Sequence, residues 1–479
     1  MTVAILCLIA AVLPGEIPVT SRSPKAAELL REGRAKLLDL EASRAQKLLR
    51  EAVALDPDFP LGLAWLGRAV GGSEGLSLVE RAVSLGAALP PAERLQIDVL
   101  MAERRGEEDR ARRLKRQLAD MAPRDWLPQL MQGVQAQYDR KSQSAIHYLQ
   151  RCLQLNPKQG AAYNYLAYVY LGQGMLDEAV DTARKLTLLR PEDSNPQDSL
   201  GEMLLRSGRL DEADAAFARS VELAADNWMA WTGRAYVQFF RGQAGAGREM
   251  LRHARANTES AQARRMIDVV VAWSQLAQGA VPAALAGIDE LERTAKAHKD
   301  QVSFAWAALQ RGEMLAELGR SVEARAQLSD AFARAQGIPG EDANRLRRLG
   351  LLTEQRAALS MNDAKAASAA VSAIDALAAK ATENPLMRNA AFTAHGLEQL
   401  AAGKAAEAAR TLSQCTRTAF RCQWALAEAQ ERAGERASAQ ETRAWIATAN
   451  VRDAVHHSED PVYLYLRERL LHPGALAAR

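Results

Sequence analysis

Aromatic residues are scarce in this chain of 479 residues, 5% of the total, and runs of β-branched residues are few. Sheets are therefore not its main element, because strands draw on Val, Ile, Thr and aromatic side chains. The abundant Ala, Leu, Arg and Glu favour helices instead. An excess of charge of one sign is missing too. Lys and Arg number 61 against 58 Asp and Glu, so no global field draws the chain to nucleic acid or anionic lipid. The basic run Arg110–Arg116 has Glu103, Glu107, Glu108 and Asp109 beside it and reads as a solvated helix face. No nucleic-acid partner is expected.

Catalytic motifs are absent as well. There is no HExxH, GxSxG or CxxC, and no GxGxxG after a strand. The stretch Gly71-Gly72-Ser73-Glu74-Gly75 lacks the GxxxxGK(S/T) pattern of a phosphate loop and reads as a shortened turn that replaces part of a helix. The seven histidines are scattered, and His456, His457 and His472 read as surface residues. No metal and no cofactor is expected, and the chain is not expected to be an enzyme.

The apolar run Thr2–Leu13 (TVAILCLIAAVL) ends at Pro14-Gly15. It has the length of a signal-peptide core and is too short to span a bilayer. No Lys or Arg precedes it, no A-x-A site follows it, and Cys7 lacks the small preceding residue of a lipoprotein signal. Residues 1–21 are expected to be a signal-like segment or part of a longer membrane segment. Export to the periplasm or the extracellular space is favoured, with an apolar cap on a cytoplasmic protein as the alternative. No stable membrane span is expected in this chain.

What the chain does have is a repeat. Gly160–Asp193 (GAAYNYLAYVYLGQGMLDEAVDTARKLTLLRPED) lies over Ser194–Ala225 (SNPQDSLGEMLLRSGRLDEADAAFARSVELAA) at an offset of 34 residues. Gly174 falls on Gly208, Leu176-Asp177-Glu178-Ala179 on Leu210-Asp211-Glu212-Ala213, and Ala183 on Phe217. A fixed period of this length marks an array of helical hairpins. Small residues at Ala179 and Ala213 let two helices approach. A glycine at the turn takes a positive φ, and Pro157 and Pro191 stop the second helix.

Repeat starts at 92, 126, 160, 194 and 228 keep the period, which then drifts. An N-terminal array over 22–258, most regular over 92–258, is expected to lead into a degenerate array over 259–455. A C-terminal helix and tail follow over 456–479, the helix lying in Pro461–Leu471. About a dozen hairpins thus cover almost the whole chain, an all-α solenoid.

These residues resemble the tetratricopeptide repeat. Ser23–Arg34, Ala52–Leu63 and Leu89–Leu95 resemble, more narrowly, extracytoplasmic arrays of bacterial receptor-like Ser/Thr kinases and winged-helix regulators. The family implies a right-handed superhelix whose first helices form a concave wall, and a non-enzymatic scaffold that binds a peptide or protein segment there. The alternative it implies is the sensor part of a bacterial membrane receptor whose kinase or DNA-binding module is absent from this chain. The inward positions of the family fall on Asn164, Tyr168 and Leu171, then Asn195, Asp198, Glu202 and Leu205. They continue with Met229, Thr232, Tyr236 and Phe239, and with Val269 and Trp273. Aromatic rings beside carboxylates and amides suit an extended peptide; the alternative is that some of the rings pack between hairpins. The family's basic clamp for a C-terminal carboxylate is not matched. Cys415 and Cys422 bracket a predicted turn, where they form a disulfide in an exported protein or two packed thiols otherwise. Cys152 reads as core.

Overall fold

The structure is a computed structural model that describes residues 17–39, 41–338, 340–380, 384–451 and 462–472. The apolar run Thr2–Leu13, with Cys7, and the pair His456 and His457 lie outside the described residues. The chain forms two compact units, Met1–Ser199 and Leu200–Arg479. Among the described residues, the regular elements are 25 α-helices and the 3-10 turn Gly86–Ala88.

The first unit holds five hairpins. They are α1 (Pro24–Leu38) with α2 (Ala42–Leu55), α3 (Pro60–Val70) with α4 (Gly72–Leu85), and α5 (Pro91–Arg104) with α6 (Glu108–Met121). Next come α7 (Trp126–Tyr138) with α8 (Ser142–Leu155), and α9 (Gly160–Gly172) with α10 (Leu176–Leu189). Helix α11 (Ser194–Arg206) crosses the unit boundary and precedes α12 (Leu210–Leu223). The second unit continues with α13 (Trp228–Phe240) on α14 (Ala244–Ala256), α15 (Ala261–Ala277) on α16 (Val281–Ala297), and α17 (Gln301–Glu317) on α18 (Ser321–Arg334). It ends with α19 (Gly340–Ser360) on α20 (Ala364–Lys380), α21 (Pro385–Ala401) on α22 (Ala405–Leu412), α23 (Phe420–Arg432) on α24 (Arg436–Thr448), and the lone helix α25 (Tyr463–Leu471). The fold is the all-α solenoid of hairpins that the period predicts.

Several hairpins close where a small residue of one helix lies under a large one of the other. A Cβ added at Gly133 falls 2.6 Å from Leu149 Cγ, and one at Gly33 falls 2.8 Å from Leu49 Cγ. Carbon atoms in contact sit at about 3.5–4.0 Å, so these sites admit no methyl. Phe217 on α12 uses the same rule twice, toward α11 and toward α13. Its ring occupies the space left by glycines on both sides, with an added Cβ at Gly201 or Gly233 falling 2.6 or 2.5 Å from it.

The turn glycines behave as expected. Gly174 and Gly208 both take φ +74, the left-handed region that ends α9 and α11. Pro157 and Pro191 follow the ends of α8 and α10. The reading of Gly71–Gly75 needs correction. Only Gly71 separates α3 from α4, and α4 keeps its full 14 residues because Gly75 lies within it. An added Cβ at Gly75 falls 2.4 Å from the Gly67 carbonyl oxygen, so the two glycines let the helices touch backbone to backbone.

The drift of the period after 258 has a simple cause. Helices α7 to α14 run 13 or 14 residues, whereas α15, α16 and α17 each run 17, one further turn. The change from regular to degenerate repeats near 258 is thus a change in helix length, and the compact units divide elsewhere, at 199/200.

Within the first unit, Asp39 ties the first hairpin to the fifth. It accepts from the Ala161 amide (2.9 Å) and pairs with Arg190 (3.0 Å). Residues 17–21, expected to close the signal-like segment, pack into this unit. Ile17 is buried with Ala92 and Leu118. In the second unit, the sulfurs of Cys415 and Cys422 lie at bonding distance across the turn between α22 and α23, with Cα atoms 6.4 Å apart.

Replacing Phe217 with Ala empties the space between two glycines that cannot close over it, and should cost about 3–5 kcal/mol. Leu188, 81% exposed, should change stability by less than about 0.5 kcal/mol on replacement by Ala. Denaturant melts of the two variants check the contrast; equal losses would show that the crossing does not carry the packing.

Candidate binding surface on the inner helices

In the second unit the first helices of successive hairpins pack side by side, α15 on α17, α17 on α19, α19 on α21 and α21 on α23. They build a wall, and α25 lies against it, touching α15, α23 and α24. Of the aromatic side chains expected at a binding groove, Trp273 lies on α15 of this wall, and Tyr236 and Phe239 lie on α13 of the same unit. Tyr236 stands edge-on to Phe239 and to Phe240, with centroids 5.8 Å apart in each pair. These offset geometries are the ones ring quadrupoles favour.

The rings are covered, which departs from the open wall expected of the sequence. Tyr236 and Trp273 are fully buried and Phe239 nearly so. The covering element above Trp273 and Phe240 is α25. Tyr465 sits edge-on to Trp273 at 6.0 Å, and Tyr463 stacks on Phe420 at 4.1 Å and meets Phe240 edge-on at 6.2 Å. The guanidinium of Arg467 lies 4.9 Å from the Phe240 ring centre, and that of Arg469 lies 4.9 Å from Trp424. Such contacts add to apolar burial through the negative face of the ring.

Beside the rings runs a buried polar chain. Trp273 Nε1 donates to Gln310 Oε1 (2.6 Å), and Gln310 Nε2 donates to Glu313 Oε2 (2.6 Å). Arg421 bridges Glu313 (3.3 Å) and Glu317 (2.9 Å). Arg356 donates to Glu317 at 2.7 Å, and Arg469 of α25 approaches the same carboxylate at 3.6 Å. Burial pushes the Glu317 carboxyl up, and Arg356, Arg421 and Arg469 outweigh it, holding the group below the ordinary glutamate range. Burial raises both tyrosines of α25, Tyr463 to about 12.

The remaining site residues of the sequence reading sit apart from these rings. Asn164 and Tyr168 on α9 are half-buried, as is Asn195 at the start of α11, while Asp198 and Glu202 on α11 are buried. Ser199 Oγ donates to Asn164 Oδ1 at 3.0 Å. Leu171, Leu205, Thr232 and Val269 are buried and Met229 is half-buried.

Sequence reasoning missed Gln310, Glu313, Glu317, Arg356 and Arg421. The one signal for them was the pair Glu313 and Glu317, one turn apart on a helix otherwise Ala- and Leu-rich. It also missed a device used in both units. In the first unit Trp65 Nε1 donates to Gln96 Oε1 (2.8 Å), the counterpart of Trp273 and Gln310.

The first unit also holds an extra stretch of chain, the extended residues before α1. The Ile17 amide donates to Asp125 (3.0 Å), the Thr20 amide to both oxygens of Glu93 (3.1 and 3.0 Å), and the Arg22 amide to Asp56 (2.8 Å). Asp125 is the N-cap of α7 and Glu93 lies in the first turn of α5, where acidic groups also favour the helix dipole, whereas Asp56 caps the C-terminal end of α2.

In the basic run, Arg110 pairs with Glu107 (2.8 Å), Arg112 with Asp139 (2.7 Å) and Lys115 with Glu103 (2.8 Å). Among the described residues no group of His, Cys, Asp and Glu is placed to hold a metal ion, and no helix is long and apolar enough to cross a membrane. His472 is exposed. Cys152 is buried, and burial raises its thiol to about 12.

Residues 139–202 match the family model described as tetratricopeptide repeat. No protein of curated function matches the chain by sequence. Among solved structures, it is similar to MamA from Desulfovibrio magneticus RS-1, with a TM-score of 0.33 and 17% identity over 36% of this chain and 100% of that one. A further MamA structure gives a TM-score of 0.31 and 16% identity over 33% of this chain and 93% of that one. A point mutant of the O-GlcNAc transferase of Thermobaculum terrenum gives 0.26 and 21% identity, over 27% of this chain and 26% of that one.

Replacing Glu317 with Gln leaves Arg356 and Arg421 facing each other without their shared carboxylate, which should cost about 3–5 kcal/mol at neutral pH. The folded carboxyl titrates below its unfolded value of about 4.3. Its stabilisation is therefore complete above that value and lost as pH falls through the depressed one. Melts between pH 3 and 7 should show the gap between wild type and variant closing at the acid end. A gap independent of pH would exclude a charged Glu317.

Proposed function

We propose, from the premise that this chain is a tetratricopeptide-repeat protein, that it is a non-enzymatic scaffold which takes up a protein segment along its inner helices. Solenoids present extended surfaces of this kind because each repeat offers one helix face to the same side. The observation that carries the reading is that the array already holds short stretches of chain in two places. Residues 17–23 are held through backbone amides in one unit, and α25 through rings and guanidinium groups in the other. A surface that seats a nine-residue helix has the chemistry to seat a segment of a partner.

The partner side of the first unit is assigned to Asn164, Tyr168, Asn195 and Asp198. Tyr168 supplies contact area, and the amides and carboxylate fix direction. Glu202, Tyr236, Phe239 and Trp273 serve the second unit, the last three as the floor of its seat. No nucleic-acid partner is part of this reading.

We also place the protein in an oxidising compartment outside the cytoplasm. The support is the bonded geometry of Cys415 and Cys422, since such bonds persist where thiols are not kept reduced.

Two measurements test these readings. A photo-crosslinking amino acid replacing Tyr168 should give protein adducts in cells, and the same group replacing Leu188 on the outer surface should give none. Adducts only from position 188 would sink the inner-face assignment. Alkylation of the protein, extracted and denatured without reductant, should label Cys152 and leave Cys415 and Cys422 unmodified. Labelling of all three returns the protein to the cytoplasm.

A further inference from the structure

We infer that α25 is an exchangeable occupant of the second unit's wall, and that the partner taking its place is a short helix of the same chemistry. This rests on the scaffold reading above and adds what the seat recognises. That chemistry is Tyr463 and Tyr465 two residues apart, with Arg467 and Arg469 following.

Several observations separate α25 from the hairpins. Among the described residues it has no hairpin partner, and its packing is supplied by the wall and by α24. It is nine residues long, and isolated helices shorter than about 12–15 residues are marginal in water. Helix formation and docking are therefore one event for this segment. The buried charges of the wall keep other partners without it, although Arg469 adds to the field at Glu317. Glu313 and Glu317 face Arg421 and Arg356, all four from α17, α19 and α23, and the Arg469 contact at 3.6 Å is the longest made by Glu317. Removing α25 leaves no carboxylate without a cation. What it uncovers is aromatic: Phe240, Trp273, Phe420 and Trp424.

The seat thus selects rings at two positions and guanidinium groups beyond them. Tyr463 stacks on Phe420, Tyr465 meets Trp273 and donates from its hydroxyl to the Glu317 carbonyl at 3.5 Å, and Arg467 and Arg469 cover Phe240 and Trp424. A separate segment with this pattern competes with a tethered one, whose effective concentration is of millimolar order. The tail therefore sets a threshold that a partner must exceed.

The test uses the full chain and a labelled synthetic peptide of residues 462–472, followed by fluorescence anisotropy. Wild type should bind it at least ~100-fold more weakly than the full-length Tyr463→Ala, Tyr465→Ala variant, in which the tail no longer competes. A peptide with Tyr463, Tyr465 and Arg469 replaced by Ala should not bind the variant. Should the variant fail to fold, a protease site placed within residues 452–460 of the full chain supplies a second route. After cleavage the labelled peptide should exchange into the seat. Equal affinity for wild type and folded variant overturns the proposal, and so does a cleaved tail that never exchanges. Dimerisation of the variant in place of peptide binding overturns the commitment to a separate partner. None of these results alters the crosslinking at Tyr168, so failure here and failure of the scaffold reading are distinguishable.

Discussion

The approach of two helices at a residue with little or no side chain is the constraint on which the rest of this molecule depends. Where Gly133 lies under Leu149, or Gly33 under Leu49, the hairpin closes to a distance that an extra methyl forbids. Every later feature inherits that spacing. The first helices line up because each second helix holds its partner at the same height. A change of one glycine is therefore answered by a change in the facing residue, as Gly201, Gly233 and Phe217 show. At Gly67 and Gly75 the rule goes to its limit, and the two helices meet on backbone alone.

A wall of first helices has two unequal needs. Its apolar stripe must be kept from water, and its polar groups must be paired where they are buried. The second unit meets the polar need within itself, through Trp273, Gln310, Glu313, Arg421, Glu317 and Arg356. The apolar need is met by α25. Rings dominate the contact between α25 and the wall, whereas ion pairs dominate the wall's interior. That division lets one face be covered and uncovered without exposing a lone buried charge, which is the costly outcome for any ion pair. The first unit differs, laying an extended stretch across the carboxylates Asp125, Glu93 and Asp56 at the ends of three helices.

The hairpins themselves were legible in the sequence because they are local. A period of 34, a small residue at Ala179 and Ala213, a glycine at the turn and Pro157 or Pro191 after it are all set by neighbours within one or two repeats. Even the drift after 258 was visible, since the extra turn in each of α15, α16 and α17 lengthens the period directly. The expected inward residues Tyr236, Phe239 and Trp273 lie on first helices of the second unit, and all three are buried.

Their surroundings were not legible. Arg421 reaches Glu317 across 104 positions of sequence, Tyr465 reaches the same residue across 148, and Asp39 meets Arg190 across 151. No period encodes such meetings. They follow from how small rotations between hairpins accumulate, and that sum is fixed only when all the side chains are packed. The sequence by itself therefore determined the repeating unit and the face it turns inward. Only the tertiary structure decided that part of this face is already occupied, because occupancy depends on where a curved wall brings the end of the chain.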